Sequence, residues 1–198
     1  MTRDYNPLPA TMLQEGVTFH RSTQILPPRV KPDDLAVNVM TDFKQVSAAT
    51  IDAGVTMETA NSVMIKRGVR LLLVVDADNV VIGIITATDI LGEKPLKFIQ
   101  DRKIKRSEIM VRDIMTPRER LEVININDVL SAKVGHVVAT LKKAGRQHAA
   151  VVEVDKDGKQ TLRGLFSVSQ VARQLGVQIQ TTKVAKSFAE IGAALGNR

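Results

Sequence analysis

Apolar positions along the chain follow two kinds of spacing, and each kind occurs twice. Residues 71–75 (LLLVV) and 80–85 (VVIGII) are continuous apolar runs rich in β-branched residues, joined by DADN. Such runs predict two strands with little solvent exposure on either face. HAAVVEV at 148–154 and LRGLFSV at 162–168 form a second strand pair across the turn-rich DKDGKQ. Ahead of each pair the spacing becomes helical. Met57, Ala60, Val63 and Met64 make one stripe, and Val134, Val137, Val138 and Leu141 make another. Gly68 and Gly145 follow as C-terminal stops. Short β segments precede both helices, SAATI at 47–51 and LEVININ at 121–127, and helix resumes at ATDILGE and VSQVARQLG. The predicted order is β-α-β-β-α, twice.

The repetition extends to wording. VNVMTD at 37–42 echoes VRDIMTP at 111–117, and residues 67–90 echo residues 144–171. Two copies at this separation predict a pseudo-symmetric pair rather than a solenoid, whose repeats are shorter and more numerous. The expected organisation is an N-terminal arm at 1–36, motif one at 37–98, a basic linker at 99–110, motif two at 111–175 and an amphipathic helix at 176–198. PLP and LPPRVKP make the arm extended, since proline excludes regular helix and central strand. In the last segment Val184, Phe188, Ile191 and Leu195 share one helical face, for the protein's own core or for a subunit contact.

Composition narrows the class. The chain has 198 residues, 44% of them hydrophobic, enough to bury a sizeable core. It has no cysteine, which excludes disulfides and thiolate metal sites. No apolar run has the length of a membrane span, and MTRDYNPLPATMLQEG has no apolar signal region. A soluble, cytoplasmic protein is the expectation. The formal charge of +7 allows an anionic partner. Aromatic content of 3% supplies little for stacking single-stranded nucleic acid. Arg102, Lys103, Lys105 and Arg106 read as a solvated face, or as a rim for anions or an acidic partner.

Catalytic signatures are missing. The sequence has no G-x-x-x-x-G-K-[ST], no G-x-G-x-x-G after a strand, no H-E-x-x-H and no G-x-S-x-G. His20, His136 and His148 are scattered without metal-ligand spacing. The expectation is a protein that is not an enzyme and holds no cofactor or metal.

The chemistry concentrates in a repeated turn. GIITATDI at 83–90 and GLFSVSQV at 164–171 each end a strand and open a helix. Ser167 with Gln170 fits a capping box, while Thr86 with Asp89 fits it less well, the box favouring Glu or Gln at the third position. Asp89 therefore suggests a second task. A carboxylate there can accept both hydroxyls of a ribose, through charged hydrogen bonds of about 1.5–3 kcal/mol each. Gln170 offers one acceptor and no charge.

The order of elements, the MT at each entry, the VVD after the first helix and the G-h-h-[ST]-x-x-D turn resemble a tandem pair of CBS domains, the Bateman module, over about residues 37–175. The resemblance implies an α+β fold of two β-α-β-β-α motifs packed as a pseudo-twofold pair with two clefts. It implies a regulatory ligand such as AMP, ADP, ATP or S-adenosylmethionine, a homodimer of pairs, and a regulated effector protein. By position, Asp89 matches the ribose-binding aspartate and Thr86 a hydroxyl contact to ribose or phosphate. Ile84 matches the apolar neighbour of adenine, Arg70 a residue facing the phosphates, and Thr116 and Leu121 the opposite wall. The second, weaker cleft corresponds to Leu165, Ser167 and Gln170 with Thr41 opposite, and the aspartate is lost there. The alternatives are a structural, oligomerising interaction module without ligand and a basic nucleic-acid-binding protein.

Overall fold

The computed structural model describes residues 5–19, 26–177 and 190–193. Labelled in chain order, the strands of the two repeats are β1 (Thr41–Asp42), β2 (Thr50–Asp52), β3 (Leu71–Val75), β4 (Val81–Thr86), β5 (Thr116–Pro117), β6 (Glu122–Asn125), β7 (His148–Val154) and β8 (Gln160–Ser167). The helices are α1 (Met57–Arg67), α2 (Ala87–Leu91), α3 (Lys94–Arg102), α4 (Val111–Ile114), α5 (Ile126–Ser131), α6 (Val134–Ala144) and α7 (Val168–Leu175). The chain divides into two compact units. One comprises residues 12–18 and 47–121; the other draws on residues 1–11, 19–46 and 122–198.

In the unit centred on 47–121, β2 runs parallel to β3, β3 antiparallel to β4, and β4 antiparallel to β5. The α1 stripe behaves as its spacing predicts. Met57, Ala60 and Met64 are buried against Leu72, Val74, Ile85 and Ile90. Thr56 caps the helix start by accepting from Thr59 N at 3.2 Å. Gly68 ends it at φ 65°, its N–H reaching the carbonyls of Met64 and Ile65, a conformation that carries no steric penalty for glycine. The strand pair differs from expectation. All five residues of β3 are buried, but β4 alternates: Val81, Gly83 and Ile85 are buried while Ile82, Ile84 and Thr86 are half-buried. An apolar run carries no period, so it cannot report that one face is partly open. Residues 94–102 are helical, and Phe98, Ile99 and Ile104 pack on the core.

The other unit repeats the topology. β6 is parallel to β7, β7 antiparallel to β8, and β8 antiparallel to β1. Val134, Val137, Val138 and Leu141 of α6 face Val151, Phe166, Val168, Val171 and Leu175 in one core. Gly145, at φ 60°, closes α6 as Gly68 closes α1. LEVININ is not all strand. β6 ends at Asn125, whose side chain accepts from Asn127 N at 2.9 Å and opens α5.

Both hairpins carry a bulge at the same place, between Val81 and Gly83 and between Leu162 and Gly164. The extra residue is Ile82 in one and Arg163 in the other. Arg163 pairs with the buried Asp42 and reaches Glu153 at 3.5 Å. Of the four residues expected on the C-terminal helix face, Val184, Phe188 and Leu195 lie outside the described residues. Ile191 sits in a helical turn at 190–193 and is buried against the second core.

Candidate functional site

The candidate site lies where β4 meets β5 and α2. Ile84 is paired with Thr116, and Gly83 with Pro117. Glycine is required at 83 because a Cβ would stand 2.6 Å from the Thr116 carbonyl oxygen. The same device recurs in the second unit, where a Cβ on Gly164 would collide with the Thr41 carbonyl and Leu165 pairs with Thr41. The repeat thus brings each MT segment against a hairpin, Ile84 beside Thr116 and Leu165 beside Thr41.

The two helix starts differ, and in the opposite sense to the sequence reading. Thr86 and Asp89 form a complete capping box. Thr86 Oγ1 accepts from Asp89 N at 3.2 Å, and Asp89 Oδ2 accepts from Thr86 N at 2.8 Å and from Thr86 Oγ1 at 2.7 Å. Ser167 makes no side-chain cap. Gln170 is turned along α7 instead: its amide donates to Gln174 Oε1 at 2.7 Å, and its carbonyl accepts from Arg173. Residues one helical turn away outbid the cap for the longer amide. Gln174 explains the arrangement. It is 2% exposed, and its own amide donates to the carbonyls of Pro27 (2.7 Å) and Asn38 (2.8 Å), which pins the segment before β1 to α7.

Asp89 is only 8% exposed and its other oxygen is also engaged. Lys94, the first residue of α3, places its ammonium 2.6 Å from Asp89 Oδ1. The same ammonium donates to the Ile114 carbonyl at 3.0 Å and to Thr116 Oγ1 at 3.4 Å. Lys94 was missed in the sequence. Its signal was the KP pair at 94–95, since proline in the first helical turn marks a helix start just after the ATDILGE turn.

Arg70 adjoins this cluster through its backbone: its carbonyl accepts from Ala87 N at 3.0 Å. Its half-buried side chain makes no hydrogen bond or ion pair with another described residue. The equivalent backbone acceptor in the second unit is Gln147, bound by Val168 N at 2.9 Å. Leu121 is buried and closes the turn 118–120. The first unit therefore collects Asp89, Lys94 and Arg70 around Ile84, Thr86 and Thr116. At the matching positions the second unit has Gln170 and Gln147.

The basic stretch at 99–110 is partly committed. Arg106 donates to the Ile90 carbonyl at 3.3 Å and lies 3.9 Å from Glu58, and Lys103 takes a left-handed turn to end α3. Among the described residues no group of three or more His, Asp or Glu is placed to hold a metal ion, and no helix is long and apolar enough to cross a membrane.

Residues 30–95 match the family model of the CBS domain. The chain has the fold of a CBS pair. An uncharacterized conserved protein from Pyrococcus horikoshii is similar in structure with a TM-score of 0.53 and 19% identity, over 77% of this chain and 100% of that one. CBSX2 from Arabidopsis thaliana, solved in complex with AMP, is similar with a TM-score of 0.50 and 21% identity, over 71% of this chain and 94% of that one. The CBS domain pair of protein MJ0100, solved with 5′-methylthioadenosine and S-adenosyl-L-methionine, gives a TM-score of 0.50 and 19% identity, over 73% of this chain and 98% of that one. No curated protein matches the sequence. At these identities the solved structures speak for the CBS-pair fold, and the site's chemistry rests on this chain's own residues.

Proposed function

We propose that this protein is a non-catalytic, cytoplasmic regulatory CBS-pair protein that binds an adenosine nucleotide at the Thr86–Asp89 cluster. Asp89 accepts the ribose hydroxyls, Thr86 contacts ribose or phosphate, Ile84 flanks the base, Arg70 faces the phosphates and Thr116 supplies the other wall. The observation that carries this reading is the asymmetry between the repeats. One helix start holds a nearly buried carboxylate and adjoins Arg70, whose side chain pairs with no other described residue, and the other holds an amide already committed to its own helix. Structures of the same fold solved with AMP, 5′-methylthioadenosine and S-adenosyl-L-methionine support the ligand class. Ligand binding would act by favouring one of two conformations, recognised by an effector protein on a homodimer.

Calorimetry with AMP, ATP and S-adenosylmethionine on the wild type and on Asp89→Asn tests the proposal. Asparagine keeps an acceptor for the cap and removes the charge. Binding should weaken by about tenfold or more, since one charge-assisted hydrogen bond is worth roughly one decade or more. Equal binding by both proteins refutes the role of Asp89.

A second reading has its own observation. Both oxygens of Asp89 are already engaged within the chain, which suits an interaction module that takes no ligand. Under that reading no adenosine compound gives a binding heat, and self-association persists regardless.

A further inference from the structure

Lys94 stands where a ligand's hydroxyls would have to be. Asp89 Oδ2 already takes two hydrogen bonds from Thr86, and Oδ1 takes the Lys94 ammonium. With Oδ2 filled by Thr86, a diol has only the two acceptor positions of Oδ1, and it cannot use both while the ammonium holds one of them. The seat itself is made of three oxygens, from Asp89, Ile114 and Thr116, one for each proton of the ammonium. Yet the Lys94 side chain remains 46% exposed, and a pair so open to water is held weakly enough to exchange.

We infer that Lys94 is a tethered competitor for Asp89 and that it makes the site select anionic nucleotides over neutral or cationic nucleosides. The inference rests on the nucleotide reading above. When a ribose takes Asp89, the ammonium loses its carboxylate and swings out on a flexible stem. A ligand phosphate gives it a new counter-ion, and Arg70, whose backbone joins the same turn, shares that charge in the reading above. Adenosine offers no such partner. S-adenosylmethionine carries a sulfonium and an ammonium against a single carboxylate, a net cation that re-pairs the lysine less well than a phosphate does. The competitor therefore penalises the ligands that cannot re-pair it. Lys94 is thereby a specificity-determining residue.

Two measurements test this. Trace acylation of lysines, read by mass spectrometry, should find Lys94 several-fold less reactive than Lys97, whose side chain is 73% exposed, and Asp89→Asn should abolish the difference. Equal reactivity in the wild type overturns the inference whatever the ligand. Calorimetry then compares AMP, adenosine and S-adenosylmethionine on the wild type and on Lys94→Met, which keeps the stem and removes the charge. The wild type should favour AMP over adenosine by about a hundredfold, two charged contacts' worth, and the variant, which keeps Arg70, by about tenfold while binding adenosine more tightly. An unchanged ratio in Lys94→Met, with binding intact, overturns the selectivity alone. Absence of binding by both proteins while Lys94 stays protected overturns the nucleotide reading and the selectivity with it.

Discussion

Replacing Asp89 and Ser167 in turn by alanine separates the two helix starts by stability alone. Asp89→Ala removes the acceptor of two hydrogen bonds from Thr86 and the counter-ion of Lys94. Loss of a helix cap costs about 1 kcal/mol. Loss of a half-exposed ion pair adds about 0.5 kcal/mol. The sum, about 1.5 kcal/mol, corresponds to a fall of roughly 3–6 °C in melting temperature for a chain of this size. Asp89→Asn keeps the cap and loses only the charge, so it should fall by about 1–2 °C. Ser167→Ala removes no cap bond and should stay within about 0.5 kcal/mol of the wild type. Thermal melts followed by circular dichroism read all three. If Ser167→Ala proves as destabilising as Asp89→Ala, the assignment of the capping box to Thr86 and Asp89 is wrong.

Four further substitutions probe the fold that carries the site. Gly83→Ala and Gly164→Ala drive a Cβ into a backbone carbonyl that cannot turn aside, and each should cost about 2 kcal/mol or more in urea denaturation; a neutral result would mean that the strands at Thr116 and Thr41 yield. Gln174→Ala leaves the Pro27 and Asn38 carbonyls without their donor, so it should cost about 2 kcal/mol and speed amide exchange at Val30, whose N–H bonds to the Gln174 carbonyl at 2.9 Å. Gly135→Ala should displace Tyr5, whose ring lies within 2.7 Å of the added Cβ, while lowering stability by less than about 1 kcal/mol, because the segment of Tyr5 is a surface strap. The contact between the Tyr5 and His136 rings, now 5.3 Å between centroids, gives a chemical-shift readout.

Much of the chain declared itself locally. The stripes of α1 and α6 bury the residues their spacing selects, apart from Val63, which is half-buried. The glycine stops at 68 and 145 adopt the left-handed conformation that only a residue without a Cβ takes freely. The helix starts were harder. Residue type favoured Ser167 and Gln170 for the cap, but Arg173 and Gln174 lie one turn along α7 and take the amide. Aspartate at 89 reaches the cap with its shorter side chain and still has an oxygen for Lys94. Asn125 extends the apolar β pattern of LEVININ in the sequence, and its capping role appears only when the chain turns there.

By itself the sequence determined the β-α-β-β-α core of each repeat and its order, because period, turn residues and caps act over a few positions. It also singled out the one aspartate of the repeated turn. The family resemblance set Thr116 and Thr41 opposite the turns, but only the tertiary structure decided that they do so as strand partners of Ile84 and Leu165, since pairing joins residues far apart in the chain. The same pairing, with the approach of α3, seats Lys94 on Asp89. Whether a carboxylate is free or taken depends on what folds back upon it, and no local pattern records that.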